Sequence, residues 1–397
     1  MTTKSVSAVH DVRTAAGAVP ESQQVPARPP SQRLAYVDAL RGLAALLVLF
    51  HHTTTLFPDL YAALAHVSPA LHGAIMFVSD RNHDAVLLFF VLSGFSVRLS
   101  VGEPGLVTRA DIDLYLYRRF KRILPLFVVA LALTALLGLW TGRIGEVAFA
   151  PWTLFGNLAF LQSSSNTRGT WFVPYGGNGP LWSLSYEMFY YLLFPAMLFA
   201  LRRFGLASRT MMFAVATGLT VLGLAAFVVA PSPPFAFLAL FGVWYCGADL
   251  AEQHLGGQRD KPWVIAVLTG GAIAALVALP WVPSATVQSW CVAAAIYGVW
   301  RAGLSIAPQR RATLAAGPSL WTPLARLGFI SYALYLFHYP MLTATAAMFG
   351  QSWMVLGITV ALALALAWAA EWLAAKPRYG FLKLSYVGRS GGNASSR

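Results

Sequence analysis

Apolar runs close to the roughly 20 residues needed to cross a hydrocarbon core recur from Tyr36 to Trp372. Short polar, Pro- or Gly-containing connections separate them. The pattern predicts ten helical spans, at about 36–57, 84–100, 123–141, 181–201, 211–230, 234–250, 262–281, 285–302, 324–347 and 352–374. The expected fold class is all-α: a polytopic membrane helix bundle of about ten transmembrane helices, forming one domain over residues 33–376. Two connections on one side are long. One runs from about Pro58 to Asp84 and carries His66, His72, Asp80, Arg81 and His83. The other runs from about Thr141 to Pro180 and holds an apolar stretch, 149–161, interrupted by Pro151, Gly156 and Asn157. That stretch is too short to span and reads as re-entrant or interfacial.

Composition agrees: 57% of residues are hydrophobic and 11% charged, against roughly 25% charged in an ordinary soluble domain. A soluble surface cannot be coated from that stock. The formal charge of +13 would suggest nucleic acid only if the basic residues formed one face, and instead they take sides. With the N-terminus inside, one side collects Arg33, Arg41, Arg98 to Arg122, Arg202 to Arg209, Arg259, Lys261, Arg301 to Arg326 and the tail from Lys376, while the other holds Arg81, Arg143 and Arg168. Basic residues flanking short loops stay cytoplasmic, so both termini are expected in the cytoplasm of a multi-pass protein of the plasma membrane, with no nucleic-acid partner. Residues 1–32, rich in Ala, Ser, Gln and Pro, read as a disordered tail without a signal peptide, and residues 377–397 as a basic tail. Cys246 and Cys291 fall in predicted spans and suggest neither a disulfide nor a metal framework.

An ionisable group at the centre of a span costs roughly 2.5–3.5 kcal/mol on insertion scales, so those retained mark a protein interior or a pathway. The candidates are Asp38, Arg41, His51 and His52 on the first span, Glu187 on the fourth, Asp249 on the sixth, His338 on the ninth and Glu371 on the tenth. Arg41 and His52 are eleven residues apart, about three helical turns, so they share a face with a rise of about 16 Å between them. His51 is rotated about 80° away. Asp38, three residues before Arg41, is placed to pair with it. Imidazole titrates near neutrality and suits His52 to take a proton from a hydroxyl. The other reading of the residues alone makes Arg41 a topology-setting flank and His52 an interfacial histidine. Ser331, Tyr335 and His338 fall on one stripe of the ninth span, readable as interhelical hydrogen bonding or as a substrate path. Glu187, inside the aromatic run Trp182 to Tyr191, needs a partner. Arg118, Arg119 and Arg122 form a fork of guanidinium groups that suits phosphate oxygens, or else simply sets topology. Phe89 to Phe95 ends in a Ser93-Gly94 step that lets another backbone approach.

Together these residues resemble the acyltransferase-3 family of integral membrane acyl transferases. The resemblance rests on Arg41 and His52 with ten residues between them, Phe89 to Phe95, Arg119 and Arg122 before Pro125, Leu181 to Tyr191 around Glu187, and Ser331 to His338 before Pro340, with Glu371 and Lys376-Pro377 closing the domain. It covers about Leu34 to Pro377. One departure is the segment His83 to Leu88, which lacks a glycine often found there. The chain looks like a stand-alone member with no added hydrolase-like domain. The resemblance implies an acyl-CoA co-substrate, usually acetyl-CoA, entering from the cytoplasm, no metal, and a hydroxyl acceptor on a carbohydrate or glycoconjugate. His52 is then the expected catalytic base, with Arg41 and Glu187 beside it. Arg119, Arg122 and Arg41 are expected to hold the donor, and His338, Tyr335 and Ser331 the acceptor. A transporter or flippase of a polar lipid or sugar is the alternative, against which stands the lack of an inverted repeat or a matched pair of broken helices.

Overall fold

The computed structural model describes residues 34–101, 106, 108–256, 292, 294–298 and 321–375. Helix α1 (Ala35–Leu56) is followed by the short helices α2 (Pro58–Val67) and α3 (Pro69–Ser79) and by α4 (Asn82–Val101). Next come α5 (Arg109–Trp140), the eight-residue α6 (Pro151–Leu158), α7 (Trp182–Arg203), α8 (Arg209–Val229), the short α9 (Pro233–Ala239) and α10 (Phe241–Gly256). After the region that is not described, α11 (Trp321–Phe349) and α12 (Trp353–Ala375) complete the bundle. Among the described residues no strand forms, and an isolated bridge joins Gln162 to Phe172.

Seven helical stretches of the described chain are long and apolar enough to cross a membrane: α1, α3 continued into α4, α5, α7 with its leading turn, α8, α9 continued into α10, and α12. They correspond to the first six expected spans and the tenth. The expected ninth span is the 29-residue α11. The expected seventh and eighth, 262–281 and 285–302, lie outside the described residues apart from a short helical piece around Tyr297, as do both tails.

The connection from Pro58 to Asp84, read from sequence as a loop, is helical. Pro58 and Pro69 each occupy a first-turn position, where their missing N–H costs nothing. The Ser68 side chain caps α3 by accepting from Leu71 N at 3.3 Å. The helices then fold back onto α1: Tyr61 OH meets Thr53 Oγ1 at 2.8 Å, and Ser79 Oγ meets Thr54 Oγ1 at 2.6 Å. The stretch 149–161 contains the short helix α6, whose Asn157 is fully buried while Trp152, Phe155 and Leu158 stay exposed. It is too short to cross, as expected.

Two helix pairs meet backbone to backbone. A Cβ on Gly42 would lie 2.2 Å from Leu324 O, and one on Gly328 would lie 1.9 Å from Asp38 O, so α1 and α11 touch through glycine on both sides. Gly94 and Gly247 do the same for α4 and α10, at 2.0 Å from Trp244 O and 1.9 Å from Val91 O. Small residues allow this approach where lipid offers no hydrophobic drive to association. Helix α5 begins in a capping box, Thr108 Oγ1 accepting from Asp111 N at 3.2 Å and Asp111 Oδ2 from Thr108 N at 2.8 Å.

The charges gather at one end of the bundle. Arg98 of α4 pairs with Glu252 of α10, and Arg209 forks onto Asp249 at 2.7 and 3.0 Å. Asp249 also accepts from Tyr297 at 2.6 Å, so this intramembrane carboxylate is fully occupied in holding helices together. The opposite end carries the histidines of α1.

Candidate functional site

At the basic end, Arg41 Nη2 donates to Ser96 Oγ of α4 at 2.7 Å and Nη1 reaches Asp38 at 3.5 Å. The i,i+3 pairing expected from sequence is present. Arg41 therefore faces α4 rather than lipid, and Tyr191, Arg122 and Glu187 lie within its electrostatic range. Glu187 Oε1 accepts from Ser93 at 2.7 Å and from Tyr191 OH, while Trp244 Nε1 donates to Ser93 at 3.3 Å. The partner that this carboxylate requires is thus a set of hydroxyls with arginines farther out. Sequence flagged Ser93 for packing alone; its second role follows only when α4 and α7 are side by side.

Arg119 and Arg122 do not form one joined fork. Arg119 donates to Ser100 and lies over the Tyr115 and Tyr191 rings, at 5.5 and 5.9 Å from their centroids. Arg122 Nη1 donates to Glu371 Oε2 of α12 at 3.1 Å and lies over Tyr332 at 5.9 Å. Its side chain is 54% exposed whereas that of Glu371 is 1% exposed, so a buried carboxylate tethers a guanidinium that still reaches outward. Arg41, Arg119 and Arg122 all belong to this end of the bundle.

Toward the other end of α1, His52 Nδ1 lies 3.0 Å from His338 Nε2, and His338 Nδ1 lies 2.8 Å from Leu334 O. A carbonyl only accepts, so His338 carries its proton on Nδ1 and offers a lone pair at Nε2. His52 must then donate from Nδ1, which leaves His52 Nε2 as the unprotonated nitrogen of the chain. His51 points elsewhere, to Ser79 O at 3.0 Å. The preference for His52 over its neighbour was legible in the helical rotation. That His338 would be its partner was not.

The stripe Ser331, Tyr335 and His338 is buried throughout. Ser331 donates to Gly328 O within its own helix at 2.8 Å. Tyr335 OH meets Ser183 Oγ at 2.8 Å and donates to Pro180 O at 2.9 Å. Only His338 of the three contacts His52, so the stripe divides into a helix-internal bond, an anchor for the 174–181 segment and a histidine pair. Pro340, just beyond, has no N–H for the Leu336 carbonyl one turn back. Asn178 Nδ2 supplies the missing donor at 3.1 Å.

At the outer limit of this region Tyr339 stands edge-on to His52, ring centroids 5.0 Å apart. Arg143 lies nearby beyond the end of α5, its Nε and Nη2 each 2.8 Å from Glu146. That fork pulls the Glu146 carboxyl below the usual carboxylate range. Neither Tyr339 nor Arg143 was singled out from sequence, because an aromatic beside a proline and a lone arginine after a span carry no signal of their own.

A family model described as an acyltransferase domain matches residues 34–372. The chain belongs to the acyltransferase-3 family. As a member it is a multi-pass membrane acyltransferase, and the matched segment includes every residue of the site just described. Among curated proteins, it is 31% identical over 176 residues to protein 2 in the picA locus of Rhizobium radiobacter, an alignment covering 40% of this chain and 79% of that one. It is 25% identical over 192 residues to nodulation protein 10 of Rhizobium leguminosarum bv. viciae, covering 46% of this chain and about half, 48%, of the relative. No solved structure matches the acyltransferase-3 chain.

Proposed function

We propose that this protein transfers an acyl group, acetyl in the simplest case, from acyl-CoA to a hydroxyl of a carbohydrate-containing acceptor, at the plasma membrane and with His52 as general base. The observation that carries this reading is the hydrogen-bonded chain from Leu334 O through His338 to His52, which leaves a lone pair on His52 Nε2. An acceptor O–H gives its proton to that nitrogen while its oxygen attacks the thioester carbonyl. The tetrahedral oxyanion then collapses, the carbon–sulfur bond breaks, and the CoA thiolate takes the proton from the His52 imidazolium. His338 stabilises that imidazolium by accepting from its Nδ1–H.

Donor binding is assigned to the basic end. Arg119 and Arg122 suit the phosphates of CoA, since guanidinium groups bind phosphate oxygens in pairs. Arg41 lies about 16 Å along α1 from His52, so it is better suited to hold the donor's polar groups than to touch the reacting carbonyl. An extended pantetheine arm is long enough to connect the two. Glu187, held by Ser93 and Tyr191, orients this network from α7. Ser331 and Tyr335, bonded within the protein, serve as scaffold for His338 rather than as direct acceptor contacts. The carbohydrate acceptor follows from the family resemblance.

Acyl-CoA consumption by the purified protein, with thiol release followed in the presence of glycoside acceptors, tests the reading. His52→Ala is expected to lower kcat by roughly 10²–10⁴, with acyl-CoA binding retained. Full transfer by that variant would remove His52 from the chemistry. Acceptor movement across a vesicle without any acyl-CoA would instead support transport.

A further inference from the structure

A cleft opens at the histidine end, between the C-terminal part of α5 and the second half of α11. Its polar lining is Thr134, Thr141, Arg143, Tyr339 and Thr343. We propose that this cleft is the acceptor-side subsite, and that it takes one neutral, hydroxyl-bearing arm of the acceptor, such as an exocyclic hydroxymethyl group, while the ring stays at the mouth. The proposal rests on the acyl-transfer reading above and deepens it.

The polarity of the lining selects the ligand. Each threonine hydroxyl spends its proton on its own helix: Thr134 on Ala130 O at 2.8 Å, Thr141 on Leu137 O at 2.8 Å and Thr343 on Tyr339 O at 2.9 Å. What Thr141 and Thr343 offer inward is therefore lone pairs, while Thr134 Oγ1 already accepts from Asn178 Nδ2 at 3.5 Å. Behind Thr134, Asn178 is 1% exposed and its Oδ1 has no hydrogen-bond partner among the described residues. A lining rich in acceptors favours a ligand that donates, which a hydroxyl does and an anion does not, and a hydroxyl also accepts from the Tyr339 O–H. Arg143 adds donors that a hydroxyl can accept from, while Glu146, on a two-bond fork, balances its charge. The site is polar without being a phosphate or carboxylate trap.

Size and position add the rest. The cleft is half-open and offers about 20 Å³, room for roughly one or two water-sized groups. A whole pyranose ring does not fit, whereas a hydroxyl on a single carbon does. Tyr339, which lines the cleft, stands edge-on to His52 at 5.0 Å between centroids, so the cleft adjoins the proposed base. The Tyr339 ring, half-buried, offers the apolar C–H face of a sugar a surface at the mouth. Along α5, Thr141 is 19 residues beyond Arg122, a rise of roughly 28 Å. Donor and acceptor therefore approach from opposite ends of the bundle.

The test is thiol protection at Thr343→Cys, in a background carrying Cys246→Ala and Cys291→Ala, reconstituted in vesicles and labelled with a membrane-impermeant maleimide. Methyl glucoside, which has an exocyclic hydroxymethyl, is expected to slow labelling several-fold. Methyl xyloside, identical but for that group, is expected to leave the rate unchanged. Equal protection by both overturns the selection of a hydroxyl arm, and failure to label, or labelling that neither sugar slows, overturns the subsite. In parallel, Thr343→Leu fills the cleft and should raise KM for the glycoside roughly tenfold with KM for acyl-CoA unmoved. A wild-type protein that consumes no acyl-CoA would refute the enzymatic reading, while the protection result still judges the cleft.

Discussion

At the scale of single residues, the bundle uses its polar side chains to repair what helix chemistry leaves undone. Pro340 strips the Leu336 carbonyl of its partner, and Asn178 replaces it from a separate segment. Asn178→Ala should cost about 1–3 kcal/mol, the range for a buried polar group left unsatisfied, read as a lower midpoint of thermal unfolding in micelles. His338 differs in kind, because its bond to His52 is chemically directional. His338→Ala leaves the His52 tautomer unspecified and is expected to lower kcat by roughly 10²–10⁴ with little change in KM for acyl-CoA. His338→Gln, which still offers an acceptor to His52 Nδ1, should recover part of that loss. A role in packing alone would show no such recovery, and the pH–rate profile of the glutamine variant should keep a single limb, activity falling as pH drops and His52 is protonated.

At the scale of elements, glycine decides which helices touch. Gly328 against the Asp38 carbonyl holds α11 and α1 together, and this contact keeps His338 beside His52. Gly328→Val inserts a branched side chain where a Cβ alone would sit 1.9 Å from that carbonyl. It is expected to cost at least about 1–3 kcal/mol, the usual penalty of overpacking, and to abolish activity in whatever fraction still folds. Gly218 in α8 is the counter-case, with nothing within 4 Å of a Cβ built on it. Gly218→Ala should stabilise by roughly 0.5–1 kcal/mol through helix propensity alone. Measuring both by unfolding in the same detergent separates close approach from propensity. The α2–α3 hairpin shows a similar division of labour, its proline starts written in the sequence and its docking onto Thr53 and Thr54 set by where α1 lies.

At the scale of the whole molecule, the two ends differ in chemistry. The basic end gathers Arg41, Arg98, Arg119, Arg122 and Arg209 around a few carboxylates, and the other end holds His52, Tyr339 and the threonine-lined cleft. If CoA phosphates bind at the first end, replacing Arg119 and Arg122 together by glutamine should raise KM for acyl-CoA roughly tenfold or more. Added salt should narrow that difference, since exposed charge pairs are screened within about 10 Å at 0.1 M. Steady-state kinetics over a salt series checks both statements, and an unchanged KM would remove the phosphate role.

Much of this architecture was readable in order along the chain. Span length, the low charged fraction and the one-sided distribution of arginine follow from the cost of hydrocarbon to polar groups, a local property that needs no knowledge of neighbours. The shared face of Arg41 and His52, and the outlying position of His51, come from helix geometry alone. The pairing of His52 with His338, of Arg122 with Glu371 and of Glu187 with Ser93 joins residues 286, 249 and 94 positions apart. Those distances are closed only by which helices lie side by side, and that choice is made by small-residue contacts spread over several spans. The sequence by itself determined the membrane bundle, its charge segregation and the residues worth watching. Only the tertiary structure decided their partners, because a hydrogen bond depends on the position and direction of both groups, and the one-dimensional pattern specifies each helix's own half.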